Sequence, residues 1–398
     1  MEPSLLIGGL AFLFLVVTVS LVFYFMFRKS NTPANVNDKI AEQKAKVEST
    51  AATLGAKREG LATVSKKEGF VDGAKAKDLT LLKLQPLTVK QAGFIGPVTD
   101  GVFDEKDAVI HALKAGIRTL ILQIDYHEDP SKGAPLFPTV SEPCLLVRDA
   151  GGTLVSLNSG SIQKVADAIA QYAFSDTIQA KEDPIVLILY GNRAPDRITK
   201  PKEYLQYLSQ IAKQLKGLAP FHLGLTPMGD YHRQALAGQV FIETFKHFEK
   251  KVLILSNFDT SLFRNVTELG MQPYAPSEDL DYWVNAQIFK QDEKASLGVT
   301  GVAPAKTPVR TAVFDIEHLK ELKGDARTAW AMKHKDIFTM VLPDSTGNPD
   351  YDTIGKLLNE LGVNVVPIDI FSFDTPTVKR TISAWSTSTW KEKAVTLQ

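Results

Sequence analysis

The sequence predicts an α/β protein, in which a (β/α)8 TIM-barrel-like domain follows an N-terminal transmembrane helix and a flexible tether. Three observations support this prediction. The chain opens with an uncharged apolar stretch, continues with a polar stretch rich in Ala, Lys and Glu, and then alternates short apolar runs with amphipathic stretches. Such alternation over roughly 300 residues fits a barrel of eight parallel strands, for which ~250 residues is typical.

The apolar stretch covers residues 5–27. It has no charged residue, and its length is sufficient to cross a hydrocarbon core of ~30 Å as a helix. A buried helix and a cleaved signal peptide are the alternatives. Signal peptides usually start with basic residues and end at a small-residue cleavage site, whereas this chain starts with MEPS and the stretch ends in FYFMF. We therefore expect a single-pass anchor in a lipid bilayer.

The charges beside the anchor predict its orientation. Arg28 and Lys29 follow the apolar stretch directly, and Glu2 precedes it. Cytoplasmic flanks carry the excess of Lys and Arg, so the C-terminal domain is expected on the cytoplasmic side. Cys144 is the only cysteine, which excludes an intrachain disulfide and fits a reducing compartment.

The overall composition limits the classes of partner. The chain has 45 basic and 45 acidic residues, and 44% of its residues are hydrophobic. Nucleic-acid-binding proteins usually show a basic excess, so we expect no nucleic-acid partner. The apolar fraction is ample for a globular core.

Residues 28–80 are expected to be a tether that is partly disordered or helical. This segment is polar, and Phe70 is its only aromatic residue. It cannot bury enough apolar area to offset its ordering entropy without a partner. Residues 38–57 could form a weak helix. A specific binding segment is the alternative interpretation.

The domain is predicted over residues 81–380, with a C-terminal tail over residues 381–398. Near-continuous apolar runs are typical of parallel strands that are covered on both faces. The predicted strands are 118–125, 144–149, 184–191, 221–227, 251–257, 338–343 and 363–371, with a first strand within 81–95. The predicted helices are 105–115, 161–174, 202–216, 233–248 and 351–361.

A doubly wound open sheet is the alternative fold, because it has the same alternation of strands and helices. No Gly-rich phosphate loop follows an early strand, which disfavours a dinucleotide-binding version of that fold. The irregular stretch 265–309 is expected to be an elaborated loop beside the barrel mouth.

Catalytic groups of a barrel project from the C-terminal ends of its strands. The densest set there is Asp125, His127, Glu128 and Asp129. Carboxylates and an imidazole could transfer protons, with Asp125 and His127 as catalytic candidates, or hold a hard cation at Asp125 and Asp129. The alternative is a solvated hydrophilic loop. His222 lies in an apolar run and is expected to be a core residue.

Other polar residues follow the remaining predicted strands. They are Arg148, Asp149, Asn192, Arg193, Asp230, Tyr231, His232, Asn257, Asp259, Asp369 and Asp374.

Several segments, in order, resemble phosphatidylinositol-specific phospholipase C. They are ALKAGIRTLILQIDYHED, IQKVADAIAQYAF, DPIVLILYGN, KVLILSN and NPDYDTIGKLLNELGVNVVPIDIFSFD. The resemblance covers most of residues 85–375 and implies a TIM barrel that cleaves phosphodiesters. In that family, two histidines carry the chemistry, and Asn, Glu and Asp side chains of the calcium-dependent branch hold the ion.

The resemblance fails at the family's functional positions. Gln91 and Ala150 stand where the two histidines are expected, and Gln123 replaces a calcium-binding Glu, although Asp125 is kept. Tyr190 replaces a carboxylate that ends the next strand, and Ser256 replaces a lysine that contacts phosphate. Loss of a base typically costs orders of magnitude in rate.

We therefore expect a degenerate phospholipase C-like barrel that is catalytically inactive and acts as a lipid- or protein-binding or structural module. A phospholipid headgroup or a protein is the expected ligand. The alternative is an active phosphoric diester hydrolase with relocated residues around Asp125, His127 and Asp129, with calcium as its cofactor. A barrel of another hydrolase class is a third hypothesis. The anchor and tether would also suit a virion protein in the internal membrane of a large DNA virus.

Overall fold

The fold is α/β and is built around parallel strands. A computed structural model describes residues 16–19, 33–54, 78–98, 100–126, 142–149, 151–224, 239–288, 311–342, 349–372, 375–385 and 388–393. The strands are β1 Leu84–Pro86, β2 Thr88–Val89, β3 Phe94–Ile95, β4 Val102–Phe103, β5 Thr119–Asp125, β6 Cys144–Leu145, β7 Ile185–Gly191, β8 Val252–Ser256, β9 Ala286–Gln287, β10 Thr311–Asp315, β11 Phe338–Leu342, β12 Pro367–Ile368 and β13 Trp390–Glu392.

Helices connect most of these strands. They are α1 Pro33–Leu54, α2 Glu105–Lys114, α3 Ile162–Tyr172, α4 Pro201–Gln214, α5 Leu280–Trp283, α6 Ile316–Glu321, α7 Gly324–His334, α8 Tyr351–Gly355 and α9 Thr375–Ile382. Side chains cap several N-termini. Ser161 accepts a hydrogen bond from the Lys164 amide at the start of α3, and Asp350 accepts one from Thr353 at the start of α8.

The main sheet has the order β12-β2-β5-β7-β8-β9, and its neighbouring strands are parallel. The register of β5 and β7 pairs Thr119 with Val186 and Ile124 with Gly191. β10 and β11 form a second parallel pair. The predicted α/β class with parallel strands is therefore confirmed.

Two further contacts relate the second pair to the main sheet. Met340 of β11 forms a parallel bridge with Val365, just before β12. The Thr311 hydroxyl donates to the Gln287 carbonyl at 2.7 Å, which links β10 to β9. Within the described ranges, no continuous ladder joins β9 to β10, so backbone pairing alone does not close the strands into a barrel.

Both faces of the strands are buried. On one face, here called the inner face, Ile121, Ile188 and Leu255 belong to one apolar cluster. On the other face, Leu122 and Leu189 pack in a second cluster together with the helices. Because alternate residues of a strand point to opposite faces, burial on both sides requires the near-continuous apolar runs seen in the sequence.

The predicted strand 144–149 is wrong as a parallel strand. Only Cys144–Leu145 is extended, and it pairs antiparallel to the end of β5, with Ile124 opposite Leu145. This segment lies beside the C-terminal end of β5, where it meets Asp125, and Leu145 also bridges to Gly160. An antiparallel return at one end of a strand needs no crossover to the other end.

Among the parallel strands, β9 and β10 were not predicted. β9 is only Ala286–Gln287, which is too short and too polar to appear as an apolar run, and it lies inside the predicted irregular stretch. Thr311–Asp315 has only three apolar residues between polar ends. In the predicted strand 221–227, His222 bridges to Val252, and residues 225–227 lie outside the described residues.

The N-terminal region contains one long described helix. The predicted anchor lies outside the described residues except for residues 16–19, and within the described part no helix is long and apolar enough to cross a membrane. Helix α1 overlaps the predicted weak helix 38–57 but begins earlier. Val36 and Val47 of this helix are buried, and Val47 belongs to the same apolar cluster as Leu122 and Leu189.

The described residues of the C-terminal segment, 381–385 and 388–393, pack against the domain. β13 pairs antiparallel with β1, with Leu84 opposite Glu392, and both Trp385 and Trp390 are buried. The boundary at residue 381 therefore does not coincide with an end of packed structure. Aromatic burial, rather than strand-like patterning, ties this short segment to the domain.

Candidate functional site

The candidate site lies at the C-terminal ends of the parallel strands. Gln123 and Asp125 fall on the inner face of β5, because they alternate with Ile121. Tyr190 occupies the corresponding place on β7 and packs against the inner cluster. These positions agree with the rule that functional groups of parallel α/β folds gather at this edge.

Asp125 is the centre of a charge cluster with Arg148 and Arg193. Its side chain is fully buried, and its Oδ2 accepts a hydrogen bond from Arg148 Nε at 2.7 Å. Its Oδ1 accepts from Arg193 Nε at 2.8 Å and from the Tyr126 amide at 2.6 Å. Both carboxylate oxygens therefore have charged donors, and two positive charges meet one negative charge.

Further contacts hold the two arginines. Arg148 Nη1 donates to the Gly152 carbonyl at 3.0 Å, and Arg193 Nη2 donates to the Tyr126 carbonyl at 2.8 Å. The Arg193 guanidinium lies 4.9 Å from the centre of the Tyr126 ring, a cation–π distance. The arginines are positioned by backbone atoms as well as by Asp125.

Tyr207 and Cys144 pack beneath this cluster. The Tyr207 hydroxyl donates to the Asp125 carbonyl at 3.1 Å, and the Cys144 thiol lies 3.7 Å from the same oxygen. Burial and the neighbouring Asp125 charge raise the pKa of the Cys144 thiol to about 12. Burial also raises the pKa of Tyr207. Since only a thiolate is a strong nucleophile, Cys144 is a packing residue.

The two glutamines connect β2 to β5. Gln91 Oε1 accepts a hydrogen bond from the backbone amide of Gln123 at 2.9 Å, and the side-chain Nε2 of Gln123 donates to the Lys90 carbonyl at 3.3 Å. Asn192 Nδ2 donates to Gln123 Oε1 at 3.4 Å. Gln91 stands where the resemblance places a histidine, and its carboxamide has no basic nitrogen. Its contacts are those of a structural link between strands.

Ser256 does not face the site. Its side chain is fully buried, and its hydroxyl donates to the Leu189 carbonyl at 3.0 Å and accepts from the Phe258 amide at 3.0 Å. Asn257, one residue later, instead clamps the end of β7. Its Oδ1 accepts from the Gly191 amide at 2.6 Å, and its Nδ2 donates to the Gly191 carbonyl at 3.1 Å.

Asp369 is a titratable group near the end of β12. It is buried, and burial raises its pKa from 3.8 to about 6, with Lys90 and the Phe371 amide acting against that rise. The Phe371 amide donates to its Oδ1 at 3.2 Å. Lys90 follows β2, the parallel neighbour of β12, and is buried as well. A carboxyl and an ammonium group are therefore buried on adjacent strand ends.

Other predicted polar residues have structural partners or lie outside the described residues. Arg197 forms an ion pair with Asp259. His222 is buried, with Nε2 2.7 Å from the Trp283 carbonyl oxygen, so the predicted core role is confirmed. The residues outside the described ranges are His127, Glu128, Asp129, Ala150, Asp230, Tyr231, His232 and Asp374.

Within the described ranges, no group of three or more His, Cys, Asp or Glu side chains is placed to hold a metal ion. Sequence reasoning identified Asp125, Arg148 and Arg193 as separate strand-end residues but did not join them. The chain positions of the arginines, 23 and 68 residues after Asp125, gave no local signal. Their common feature in the sequence is that each lies at or just after the end of an apolar run.

The structure is similar to solved structures of phospholipases C. PLC21 of L. pealei has 14% sequence identity and a TM-score of 0.49, and the match covers 84% of this chain and 38% of that one. The calcium-dependent phosphoinositol-specific phospholipase C from a Pseudomonas species has 13% identity and a TM-score of 0.45, with 83% and 100% coverage. The Ca²⁺-dependent enzyme of Streptomyces antibioticus has 12% identity and a TM-score of 0.41, with 76% and 98% coverage.

This chain thus spans 38% of the length of L. pealei PLC21. No family model and no curated protein matches the sequence. Because identities and TM-scores are low, the roles of the site residues rest on the contacts within this chain.

Proposed function

We propose that this chain is a membrane-anchored phospholipase C-like barrel without calcium-dependent phosphodiester cleavage, which acts as a lipid- or protein-binding or structural module. The observation that carries the proposal is the occupation of both Asp125 oxygens by Arg148 and Arg193. The Asp125 carboxylate is the only acidic group retained from the calcium ligands that the sequence resemblance implies.

A closed barrel is the simplest arrangement of the parallel strands. The order β12-β2-β5-β7-β8-β9 follows the chain after β12, and β10 pairs with β11. The Thr311–Gln287 hydrogen bond and the Met340–Val365 bridge lie at the two remaining junctions. Eight parallel strands joined in chain order would make a (β/α)8 barrel.

The described residues at the strand ends do not fit a calcium ion. Calcium takes six to eight oxygen ligands, usually with several carboxylates. Here the ligand positions hold Gln123 and Tyr190, and Asp125 is bound to two guanidinium groups. A divalent cation would have to displace Arg148 or Arg193 and would be repelled by the other.

The described strand ends also lack the required general base at the first histidine position. A base must accept a proton within hydrogen-bond reach of the reacting hydroxyl. Gln91 cannot accept a proton near neutral pH, and its Oε1 is already bonded to the Gln123 amide. The contacts support a scaffold that retains the shape of the family and not its standard chemistry.

The alternative is a phosphodiesterase with relocated groups. Asp369, whose burial raises its pKa to about 6, would exchange a proton close to neutral pH. Lys90 beside it could stabilise negative charge. This pair is a better-supported position for relocated chemistry than Asp125.

The test uses the full chain reconstituted in phosphatidylcholine liposomes that contain phosphatidylinositol. Retention in the membrane pellet after alkaline carbonate extraction, and release of a variant lacking residues 1–27, tests the anchor. Hydrolysis of phosphatidylinositol and of glycerophosphodiesters is then measured with calcium and with EGTA. We expect no turnover in either condition. Turnover that Asp369→Asn or His127→Ala abolishes would establish the alternative.

A further inference from the structure

Helix α1 fixes the place where the N-terminal segment reaches the folded domain. Lys39 lies 4.0 Å from Asp100, and Lys44 forms ion pairs with Asp104 at 2.9 Å and Asp107 at 2.6 Å. Hydrogen bonds to Asp107 and Asp104 raise the pKa of Lys44. Both partners of Lys44 belong to the N-terminal cap and first turn of α2. Residues later in α1 therefore contact residues later in the segment that leads into α2. The two helices thus run in the same direction.

The direction of α2 relative to the sheet is set by its connections. It follows β2 and precedes β5, and these two strands are parallel neighbours. α2 must therefore run from the C-terminal edge of the strands to the N-terminal edge. Because α1 is parallel to it, α1 also starts at the C-terminal edge, where the Asp125 cluster lies. Pro33 precedes Lys39 by about 9 Å along the helix axis at ~1.5 Å per residue.

Little chain separates this point from the proposed anchor. Only residues 28–32 lie between the apolar stretch 5–27 and Pro33. A fully extended chain spans at most ~3.3–3.6 Å per residue, so the bilayer exit lies within roughly 20 Å of Pro33. The C-terminal edge of the strands is therefore the part of the domain with the shortest connection to the bilayer.

The loop between β7 and α4 presents an apolar side chain at this same edge. Ile198 is 73% exposed, more than the other large hydrophobic residues in the described ranges. Asp196 holds the loop in shape, since its Oδ1 accepts hydrogen bonds from the Ile198 amide at 3.0 Å and the Thr199 amide at 2.6 Å. Lys200, which pairs with Glu203 at 3.4 Å, and Lys202 follow at the start of α4.

An exposed apolar residue beside lysines suits the headgroup layer of a membrane, where an apolar side chain enters the interface and an ammonium group stays at the headgroups. We propose that the C-terminal edge of the strands faces the bilayer that holds residues 5–27, with Ile198 as its lipid contact. This inference rests on the membrane anchor of the proposed function. The proposed partner of this edge is the same bilayer that the chain's own anchor crosses.

The opposite edge provides a matched control. Ile242 is 48% exposed and lies after Gln239–Phe241, near the Phe245 and Phe248 side chains that precede β8. Since β8 begins at Val252, this region belongs to the N-terminal edge of the strands. Ile198 and Ile242 are thus exposed isoleucines at opposite edges, and the proposal distinguishes them.

The experiment places an environment-sensitive fluorophore on single cysteines. Cys144→Ala removes the native thiol, and Ile198→Cys or Ile242→Cys is added to the full chain in phosphatidylcholine–phosphatidylserine liposomes. Lipids with a spin label at the headgroup act as quenchers. We expect loss of fluorescence at position 198 and little loss at position 242. Equal quenching at both positions, stronger quenching at 242, or no quenching at 198 would overturn the proposal.

A second variant tests the role of α1. Lys44→Glu places a like charge beside Asp104 and Asp107 and should reduce the quenching at 198, whereas Lys46→Glu, at an exposed site paired with Glu42 on the same helix, should not. Tryptophan-monitored unfolding verifies that each variant is folded.

Carbonate extraction of the same liposomes separates the anchor hypothesis from the orientation hypothesis. Loss of the chain from the membrane pellet contradicts the anchor, whereas retention with the wrong quenching pattern contradicts only the orientation.

Discussion

Asp125 and Arg193 are joined by a 2.8 Å hydrogen bond between Oδ1 and Nε, although 68 residues separate them in the sequence. Arg148 binds the other carboxylate oxygen from a third segment. Three chain segments therefore converge on one buried carboxylate. The carboxylate of Asp125 therefore stabilises the strand ends. Its charge is balanced by the guanidinium groups of Arg148 and Arg193, which also donate hydrogen bonds to backbone carbonyl oxygens.

Asp125→Asn is expected to destabilise the domain. It leaves two guanidinium groups without their counter-charge, and removing one partner of a buried pair typically costs about 3–5 kcal/mol. Because Arg148 and Arg193 are 19% and 31% exposed at their side chains, solvent offsets part of the loss. We expect the free energy of unfolding to fall by about 2–4 kcal/mol in denaturant titrations.

Asp176→Asn is the matched control for that prediction. Asp176 also pairs with one basic residue, Lys181, but its side chain is 93% exposed. Exposed pairs contribute little, so the unfolding midpoint of this variant should stay unchanged. An Asp125→Asn variant as stable as Asp176→Asn would contradict the structural role of the cluster.

The thiol of Cys144 is expected to be unreactive in the native protein. It is buried, and its pKa is raised to about 12, so almost no thiolate is present near neutral pH. Because the chain has one cysteine, reaction with a disulfide reagent reports this position alone. Reaction should be slow for the native chain, fast in denaturant, and accelerated in Asp125→Asn. Fast reaction of the native chain would show that this part of the structure opens readily.

Much of the sheet could be predicted from apolar runs, because strands buried on both faces need them. Thr119–Asp125, Ile185–Gly191, Val252–Ser256 and Phe338–Leu342 all lie within predicted strands. Ala286–Gln287 could not be predicted, because two residues carry no periodicity. Cys144–Leu145 has a strand-like sequence, but its antiparallel direction depends on where the chain returns.

The candidate site was less predictable than the fold. The position of Asp125 at a strand end follows from its place after an apolar run. Its pairing with Arg148 and Arg193 depends on the three-dimensional convergence of distant segments. The direction of the Ser256 side chain depended on register, since one residue of shift exchanges the two faces of a strand. Asn257 rather than Ser256 contacts the end of β7.

The pKa of Asp369 predicts a pH dependence of stability. Burial raises this pKa from 3.8 to about 6, so the folded chain binds the proton more tightly than the unfolded chain. The resulting stabilisation is fully present below the unfolded pKa and is lost as the pH rises through the folded pKa. The free energy of unfolding of the wild type, relative to Asp369→Asn, should fall by up to about 3 kcal/mol between acidic and neutral pH.

Denaturant titrations of both chains at a series of pH values measure this difference. Subtracting the Asp369→Asn curve removes the contribution of the other carboxylates. The attraction between Lys90 and Asp369 exists only while the carboxyl is ionised, so it is already included in the folded pKa of about 6 that sets the slope of the difference curve. A flat difference curve, or one that rises with pH, would contradict the raised pKa.

Trp390 is expected to make the C-terminal segment essential for stability. It is 1% exposed, lies in the strand that pairs with Leu84–Pro86, and meets Phe245 with ring centres 5.1 Å apart in an edge-to-face arrangement. Trp390→Ala removes a large buried side chain, so the free energy of unfolding should fall by about 3–5 kcal/mol. Trp390→Phe keeps an aromatic ring against Phe245 and should recover part of that loss. The measurement is denaturant unfolding followed by circular dichroism, because the substitution alters tryptophan fluorescence. If Trp390→Ala were as stable as the wild type, the segment after residue 385 would behave as a tail. The pairing of β1 with β13 would then not contribute to the free energy of unfolding.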